Sequence, residues 1–109
     1  MGNQLNDNFT ENQFEIAELA KALSNPARIA ILEYIIQSES CICGQIVNEI
    51  GLAQATISQH LKALKKIGII QGNISGTKTC YCINEDRWTE IQDKLANFFK
   101  TYPISIHLP

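Results

Sequence analysis

The stretch GLAQATISQHLKALKKIG, residues 51–68, encodes a turn followed by a helix with two unlike faces. Apolar residues recur along it every three or four positions, at Ile57, Leu61, Leu64 and Ile67. This spacing places them on one side of a helix. The other side carries hydrogen-bonding residues near the amino end and lysines further along, namely Gln54, Thr56, Ser58, Gln59, His60, Lys62, Lys65 and Lys66. A DNA recognition helix needs this order, because its first turn enters the major groove while later residues meet phosphates. The alternative is an ordinary amphipathic helix with a solvated polar face.

Charge is distributed unevenly along the chain. The formal net charge of −2 gives no sign of a nucleic-acid partner. Residues 51–84, however, hold four lysines and no acidic residue, whereas residues 1–50 hold seven acidic residues against one lysine and one arginine. Phosphate binding depends on the local field more than on the total charge. We therefore predict that Lys62, Lys65 and Lys78 contact the DNA backbone.

Length and composition indicate a single domain. A chain of 109 residues, 45% of them hydrophobic, can bury one core but is too short for two, so we expect one domain with a flexible arm at residues 1–12 and a tail at residues 101–109. No apolar run approaches a membrane span, and the polar amino terminus lacks the cationic start of a secretion signal. We expect a cytoplasmic protein without a membrane partner. No phosphate loop, nucleophile elbow or paired catalytic constellation occurs, which argues against an enzyme.

Hydrophobic periodicity predicts three helices before the recognition helix. The first covers residues 14–23, and the second covers residues 28–36 after a break at which Pro26 suits the first turn of a helix. A short helix over about residues 44–50 ends at Gly51, a residue that commonly follows a helix end. This short helix and the recognition helix together form a helix-turn-helix.

The period changes after the recognition helix. Residues 69–73 and 77–83 have the pattern of two strands joined by turn residues 74–76, which predicts a hairpin wing. A last helix covers residues 87–99. The predicted fold is mainly α with a small β-hairpin wing: a winged helix-turn-helix of about five helices.

Two segments carry a family resemblance. The sequences LAKALSNPARIAIL, residues 19–32, and ATISQHLKALKKIGI, residues 55–69, together with the wing, resemble the ArsR/SmtB winged-helix repressors over roughly residues 16–99. The resemblance implies a homodimer, held by the first and last helices, that blocks transcription from a double-stranded DNA operator and dissociates when a metal or another inducer binds. Ser58 and His60 match the Ser-x-His of that family's recognition helix.

The resemblance also implies which side chains meet DNA. Gln54, Thr56, Ser58, Gln59 and His60 would face base edges and phosphates. Gln59 is a natural partner for adenine, and His60 for a phosphate or guanine.

Aromatic residues in the two terminal helices support dimerisation. Phe14, Trp88, Phe98 and Phe99 are more apolar surface than the end helices of a small monomer would be expected to hide. The alternative is that these rings pack on the monomer's own core, because small domains bury their surface poorly.

Four cysteines form two Cys-x-Cys pairs, Cys41 with Cys43 and Cys80 with Cys82. In a cytoplasmic protein such pairs favour metal or redox chemistry over structural disulfides. The first pair matches the Cys-x-Cys of the family's arsenic and cadmium sensors. Further ligands known in the family are missing: Ile46 stands where arsenic sensors add a third thiolate, the amino-terminal arm has no cysteine, and the last helix has no histidine.

A strand pairing would bring the two pairs together. In winged helices the segment before the helix-turn-helix is a strand that pairs with the returning strand of the wing, so residues 40–43 should lie beside residues 79–83. Alternate residues of a strand share a face. Ile42, Tyr81 and Ile83 would then turn to the core, leaving all four cysteines on the outer face.

Cross-strand neighbours lie about 5 Å apart, close enough for three or four of these sulfurs to share a zinc, cadmium or trivalent arsenic ion. Two alternatives remain: small packed thiols without a function, or a reversible disulfide, Cys41 with Cys82 or Cys43 with Cys80. Three functions follow: a metal-responsive repressor, a repressor of the same fold that senses thiol oxidation or a small molecule, and a winged-helix module that binds protein. The last is disfavoured by the acid-free segment of residues 51–84.

Overall fold

The computed structural model describes residues 8–39, 41–44, 49–76 and 78–104. Within these ranges it contains four helices and one antiparallel hairpin, which confirms a mainly α fold with a wing. The elements are α1 (Glu11–Ala22), α2 (Pro26–Ser38), α3 (Gln54–Lys66), β1 (Ile70–Ser75), β2 (Lys78–Ile83) and α4 (Glu85–Phe99). No helix among the described residues is long and apolar enough to cross a membrane.

Capping residues fix where the first two helices begin. The Thr10 hydroxyl accepts a hydrogen bond from the Gln13 backbone N–H at 3.0 Å, while the Gln13 side chain accepts one from the Thr10 N–H at 2.9 Å. These two hydrogen bonds satisfy backbone N–H groups at the start of the helix, for which no preceding turn supplies a carbonyl acceptor. Asn25 caps α2 in the same sense, since its side-chain oxygen accepts from the Ala27 N–H, and Pro26 occupies the first turn as predicted.

One apolar cluster holds the helices against the hairpin. Its fully buried side chains come from α1, α2, the segment before the helix-turn-helix, α3 and β1; they are Leu19, Ile31, Ile42, Ile57, Leu64 and Ile70. The predicted stripe of α3 is confirmed, because Ile57, Leu61 and Leu64 are all buried. Ile67, the last residue of that stripe, is half-buried at the helix end.

Glycines end the helices on either side of the reading motif. Gly51 has φ +80° and Gly68 has φ +84°, a region that L side chains rarely adopt. Gly51 makes the turn that leads into α3. Of the short helix predicted over residues 44–50, Glu49 and Ile50 are helical and residues 45–48 lie outside the described part of the chain.

The wing is longer at its tip than the sequence pattern predicts. β1 and β2 pair antiparallel from Ile70 opposite Ile83 to Ser75 opposite Lys78. Ile74 and Ser75 therefore belong to β1 and not to the turn, and Gly76, with φ +66°, lies at the tip.

A third segment adds to this sheet. Ile42 and Tyr81 exchange two backbone hydrogen bonds of 2.9 and 2.7 Å in an antiparallel bridge. The predicted pairing of the segment before the helix-turn-helix with the returning strand is thus confirmed at Ile42, while residue 40 of that segment lies outside the described residues. β2 lies between this segment and β1.

The last helix begins two residues earlier than predicted. The Asn84 side chain accepts a hydrogen bond from the Arg87 N–H at 3.2 Å, so α4 starts at Glu85. It packs against α1, where Glu15 forms an ion pair with Lys94 at 2.9 Å. In the predicted tail, residues 101–104 are exposed and residues 105–109 lie outside the described residues, as do residues 1–7 of the predicted arm.

Candidate nucleic-acid interface and cysteine cluster

Helix α3 turns its polar residues away from the core. Six of the predicted DNA-contacting side chains, Gln54, Ser58, Gln59, Lys62, Lys65 and Lys78, are exposed. Thr56 and His60 are half-buried. Lys65 and Lys66 occupy the last turn, and no acidic residue lies in the first. The structure thus arranges hydrogen-bonding groups at the amino end of α3 and cations along the remainder of one accessible face.

His60 is tied to α2, which the sequence did not predict. The Arg28 Nε donates a hydrogen bond to His60 Nδ1 at 3.1 Å, and the Arg28 Nη1 donates to the Ala22 carbonyl at 3.2 Å. Because Nδ1 accepts, a neutral ring carries its hydrogen on Nε2. Arg28 therefore fixes the orientation of His60 and leaves Nε2 as its donor. Arg28 stands in the segment that carries the family resemblance, but no spacing pattern connects it with a residue 32 positions away.

The lysine cluster reaches the wing. Lys65 Nζ lies 3.5 Å from the point that a Cβ would occupy at Gly72 of β1. Lys78 opens β2 and is exposed near the hairpin tip. Cations thus stand on both α3 and the wing, the two elements expected to touch DNA.

The four cysteines form two disulfides across the sheet. Cys41 is bonded to Cys82 and Cys43 to Cys80, with Cα atoms 4.5 and 4.1 Å apart. These pairs flank the hydrogen-bonded pair of Ile42 and Tyr81. They therefore occupy non-hydrogen-bonded positions of the antiparallel ladder, where the Cα atoms of facing residues lie closest together. The sequence reasoning brought the four residues together correctly and named both pairings as an alternative to a shared ion.

The four cysteines share one face of the sheet but are exposed to different degrees. Cys80 is only 7% exposed, whereas Cys41 is exposed and Cys43 and Cys82 are half-buried. Cys80 lies on the middle strand β2, with Asn73 of β1 on one side and Cys43 on the other. Ile42 does turn to the core, while Tyr81 and Ile83 reach it only in part.

The oxidised pairs do not fit a metal ion. Disulfide sulfurs carry no thiolate charge, and thiolates are the metal-binding form of cysteine. Across the described ranges, no group of three or more His, Cys, Asp or Glu side chains is arranged to hold an ion. The shared ion at Cys41, Cys43, Cys80 and Cys82 stays a prediction for the reduced protein.

Asn73 is a member of this cluster that sequence reasoning missed. Its side-chain nitrogen lies 3.4 Å from Cys82 Sγ and 4.0 Å from Cys41 Sγ. Only the register of the hairpin, which sets Asn73 opposite Cys80, brings this amide to the sulfurs. Period-two alternation did place Asn73 in the first strand, but not beside a particular partner.

Each disulfide borders a different cavity. Cys41 and Cys82 line one of about 570 Å³, together with residues of α2 and α4 that include Ile36, Glu39, Glu85 and Trp88. Cys43 lines another of about 380 Å³, whose walls include Gln54, Ser58 and Lys78. The second cavity joins the cysteine cluster to predicted DNA-contacting residues.

The terminal aromatic residues are exposed to different degrees. Phe98 is 47% and Phe99 71% exposed, whereas Trp88 is half-buried against the core. Phe14 is half-buried and packs edge-on against Phe9, with ring centroids 5.8 Å apart. Trp88 thus packs partly within its own chain, as the alternative expects, whereas Phe98 and Phe99 stay largely uncovered.

Comparison with known proteins identifies relatives. The family model described as "Bacterial regulatory protein, arsR family" matches residues 25–71. An uncharacterized HTH-type transcriptional regulator, MJ1325 of Methanocaldococcus jannaschii, is 40% identical over 82 residues, which cover 74% of this chain and 91% of the relative. The HTH-type transcriptional repressor SmtB of Mycobacterium tuberculosis is 39% identical over 64 residues, or 59% of this chain and 47% of the repressor. The match thus spans about half the length of that repressor.

Solved structures share the fold. The homodimeric winged helix-turn-helix domain Mb0332 of Mycobacterium bovis, a possible ArsR-family regulator, superposes with a TM-score of 0.64 at 26% identity, covering 89% of this chain and 88% of that one. Rv0081 of M. tuberculosis gives a TM-score of 0.59 at 31% identity, covering 78% of this chain and 82% of that one.

Among the sequence relatives, a homologue of the cadmium resistance regulatory protein CadC from Staphylococcus aureus is 29% identical over 77% of this chain and 69% of its own length.

Proposed function

The chain belongs to the ArsR/SmtB family of transcriptional regulators, which are DNA-binding proteins and not enzymes, and from this premise we propose that it is a homodimeric, sequence-specific repressor. α3 enters the major groove, where Gln54, Ser58 and Gln59 meet base edges. Lys62, Lys65 and Lys78 neutralise phosphates and supply affinity that does not depend on sequence.

One observation carries this proposal: α3 buries Ile57, Leu61 and Leu64 while most of its opposite face stays accessible and free of acidic residues. A helix whose polar face served only for solubility would have no need to exclude carboxylates. His60 adds to this interpretation, since Arg28 holds it so that Nε2 is its donor. A half-buried ring with a fixed tautomer is suited to a defined contact.

The apolar surface that one chain leaves uncovered supports the proposed dimer. Phe98 and Phe99 at the end of α4 meet edge-on, 5.3 Å between centroids, and both are exposed. A second copy that covers them would use α1 and α4, as predicted. Two-fold symmetry then requires a pseudo-palindromic operator with half-sites about 34 Å apart, one turn of DNA.

We propose further that the oxidation state of the cysteines controls operator affinity. The disulfides fasten the segment before the helix-turn-helix to β2, so α3 and the wing are held in one relative position. Binding both groove and backbone needs that position, and holding it before DNA arrives avoids an ordering cost on binding. Reduction removes the fastening. A coupling of about 1 to 3 kcal/mol corresponds to a loss of about 5- to 150-fold in affinity.

A thiophilic ion is a second candidate effector. Four sulfurs at adjacent register positions favour it, and so do the names of relatives that include a cadmium resistance regulator. After reduction, Cys41, Cys43, Cys80 and Cys82 would supply the thiolates for zinc, cadmium or trivalent arsenic. Such binding releases protons, so apparent ion affinity rises with pH until the thiols are deprotonated.

A DNA-binding titration distinguishes these functions. Fluorescence anisotropy is measured on the DNA upstream of the chain's own gene, with oxidised protein, with protein reduced by a phosphine, and with reduced protein plus cadmium or arsenite. Weaker binding after reduction alone supports redox control, and weaker binding only after the ion supports the second candidate. The matched control replaces all four cysteines with serine and must ignore both treatments. Indifference of the native chain would reject both effectors and leave the repressor assignment intact.

Base reading is tested separately by selecting preferred sites from random DNA. Gln59→Ala should change the preferred bases, whereas Lys62→Ala should weaken binding to every sequence and leave the preference unchanged. Failure to retain any DNA, or sedimentation as a monomer at micromolar concentration, would overturn the proposed repressor.

A further inference from the structure

We propose that the Cys41–Cys82 disulfide is a thiol-exchange site for small, uncharged or cationic thiols, with Cys41 as the sulfur attacked and Cys82 as the leaving thiolate. The exchange chemistry stands on the local geometry. Its regulatory meaning rests on the redox control proposed above.

Accessibility separates the two disulfides. An attacking thiolate must reach one sulfur along the line of the S–S bond, so exchange depends on access. Cys41 is exposed, and the pair it forms borders the cavity of about 570 Å³. In the other pair, Cys80 is 7% exposed and Cys43 is half-buried. Exchange therefore begins at the Cys41–Cys82 pair.

Asn73 sets the direction of attack within that pair. Its side-chain N–H group lies 3.4 Å from Cys82 Sγ but 4.0 Å from Cys41 Sγ. A hydrogen bond to a group that becomes an anion is stronger than one to a neutral group. The amide therefore favours the negative charge on Cys82, which makes Cys82 the better leaving group and Cys41 the electrophile.

The cavity beside this disulfide selects the thiol. Its described lining contains two carboxylates, Glu39 and Glu85, and no lysine or arginine, while Ile36 and Trp88 provide an apolar wall. A volume of about 570 Å³ admits a small molecule. Two exposed carboxylates repel an anionic thiol and attract a cationic one, by an amount that salt screens.

The reaction balances without a further oxidant. The thiolate RS⁻ forms a bond to Cys41 Sγ as the Cys41–Cys82 bond breaks, and the electron pair leaves on Cys82, where Asn73 stabilises it. A second molecule of the thiol then attacks the mixed disulfide, releases RSSR and leaves Cys41 as a thiolate that takes up a proton. Two thiols are oxidised and one protein disulfide is reduced.

The test follows exchange on the oxidised full-length chain in the absence of DNA. Cysteamine, 2-mercaptoethanol and mercaptoacetate are compared at matched thiolate concentration, the reaction is trapped with iodoacetamide, and the modified cysteines are located by mass spectrometry. We expect the mixed disulfide on Cys41, alkylation on Cys82, and an intact Cys43–Cys80 pair at early times. Cysteamine should react about fivefold faster than mercaptoacetate at low salt, with the ratio shrinking in high salt.

Variants connect the rates to the named groups. Asn73→Asp keeps the shape of the side chain but replaces the donor with a carboxylate, and should slow exchange about tenfold. The exchange rate of Asn73→Ala should lie between those of the native chain and Asn73→Asp. Glu39→Gln with Glu85→Gln should abolish the preference for cysteamine. An adduct on Cys82, earlier opening of Cys43–Cys80, or equal rates in Asn73→Asp would overturn the proposal. Reduction of both disulfides with unchanged operator affinity would instead refute only the redox control.

Discussion

The contribution of each disulfide to the stability of the fold should depend on whether the other disulfide is present. Each closes a long loop, with sequence separations of 41 and 37 residues. In the chain-entropy treatment, a loop of that length restricts the unfolded chain by about 4 kcal/mol. Once Cys41–Cys82 is closed, however, Cys43–Cys80 closes only a ring formed by residues 41–43 and 80–82. A ring of about six residues contributes about 2 kcal/mol by the same relation.

The nested arrangement therefore predicts strong non-additivity. Replacing Cys43 and Cys80 with serine should lower the free energy of unfolding by about 2 kcal/mol, and so should replacing Cys41 and Cys82, because in each case the other disulfide still closes the long loop. Replacing all four should lower it by about 6 kcal/mol, which is more than the two separate losses combined.

Urea unfolding monitored by circular dichroism measures these differences. All variants are compared at one protein concentration, because a dimer's apparent stability depends on concentration. A reductant supplies the control, since it should bring the native chain close to the all-serine variant. Losses of about 4 kcal/mol for each pair that simply add, or a native chain whose unfolding ignores reductant, would refute the nested loop.

Three further predictions concern the turn, the lysines and His60. Gly51→Ala should cost about 1 kcal/mol in urea unfolding through its positive φ alone, because nothing lies within 4 Å of an added Cβ, and Gly44→Ala, also in open space, should cost much less; equal losses would contradict this. Lys65→Ala should reduce the slope of log affinity against log salt by about 0.9, and a changed base preference would oppose its role as a phosphate contact. Arg28→Gln and His60→Ala should each weaken operator binding about tenfold, with no further loss in the double variant, because Arg28 acts through His60; additive losses in that cycle would show that the two residues act separately.

The sequence predicted the parts of the fold that repeat with a period. The apolar stripe of α3 and the helix break at Pro26 each report a local requirement of a helix. Boundaries were less predictable, because they depend on single hydrogen bonds. α4 starts at Glu85 because the Asn84 side chain caps it, whereas hydrophobic periodicity predicted the start at Arg87.

The candidate site was predictable only up to the point where long-range register matters. Strand periodicity brought the two Cys-x-Cys pairs together, yet the same spacing suits an ion and a pair of disulfides. The position of Asn73 opposite Cys80 depends on the pairing of β1 with β2. The bond from Arg28 to His60 spans 32 residues and leaves no periodic trace.

The different surroundings of the two disulfides give them different parts in a repressor of this kind. Cys41–Cys82 faces the cavity between α2 and α4, where a thiol can enter, and this cavity contains none of the predicted DNA-contacting residues among its described lining. Cys43 shares its cavity with Gln54, Ser58 and Lys78. Opening the first pair alone leaves the second to hold the wing against the segment before the reading motif, so it should change operator affinity little. α3 and the wing lose their common attachment only when the Cys43–Cys80 pair also opens. The proposed switch would therefore respond to sustained reduction and resist brief exposure to a reductant. The reason is that the accessible Cys41–Cys82 disulfide must open before the Cys43–Cys80 disulfide.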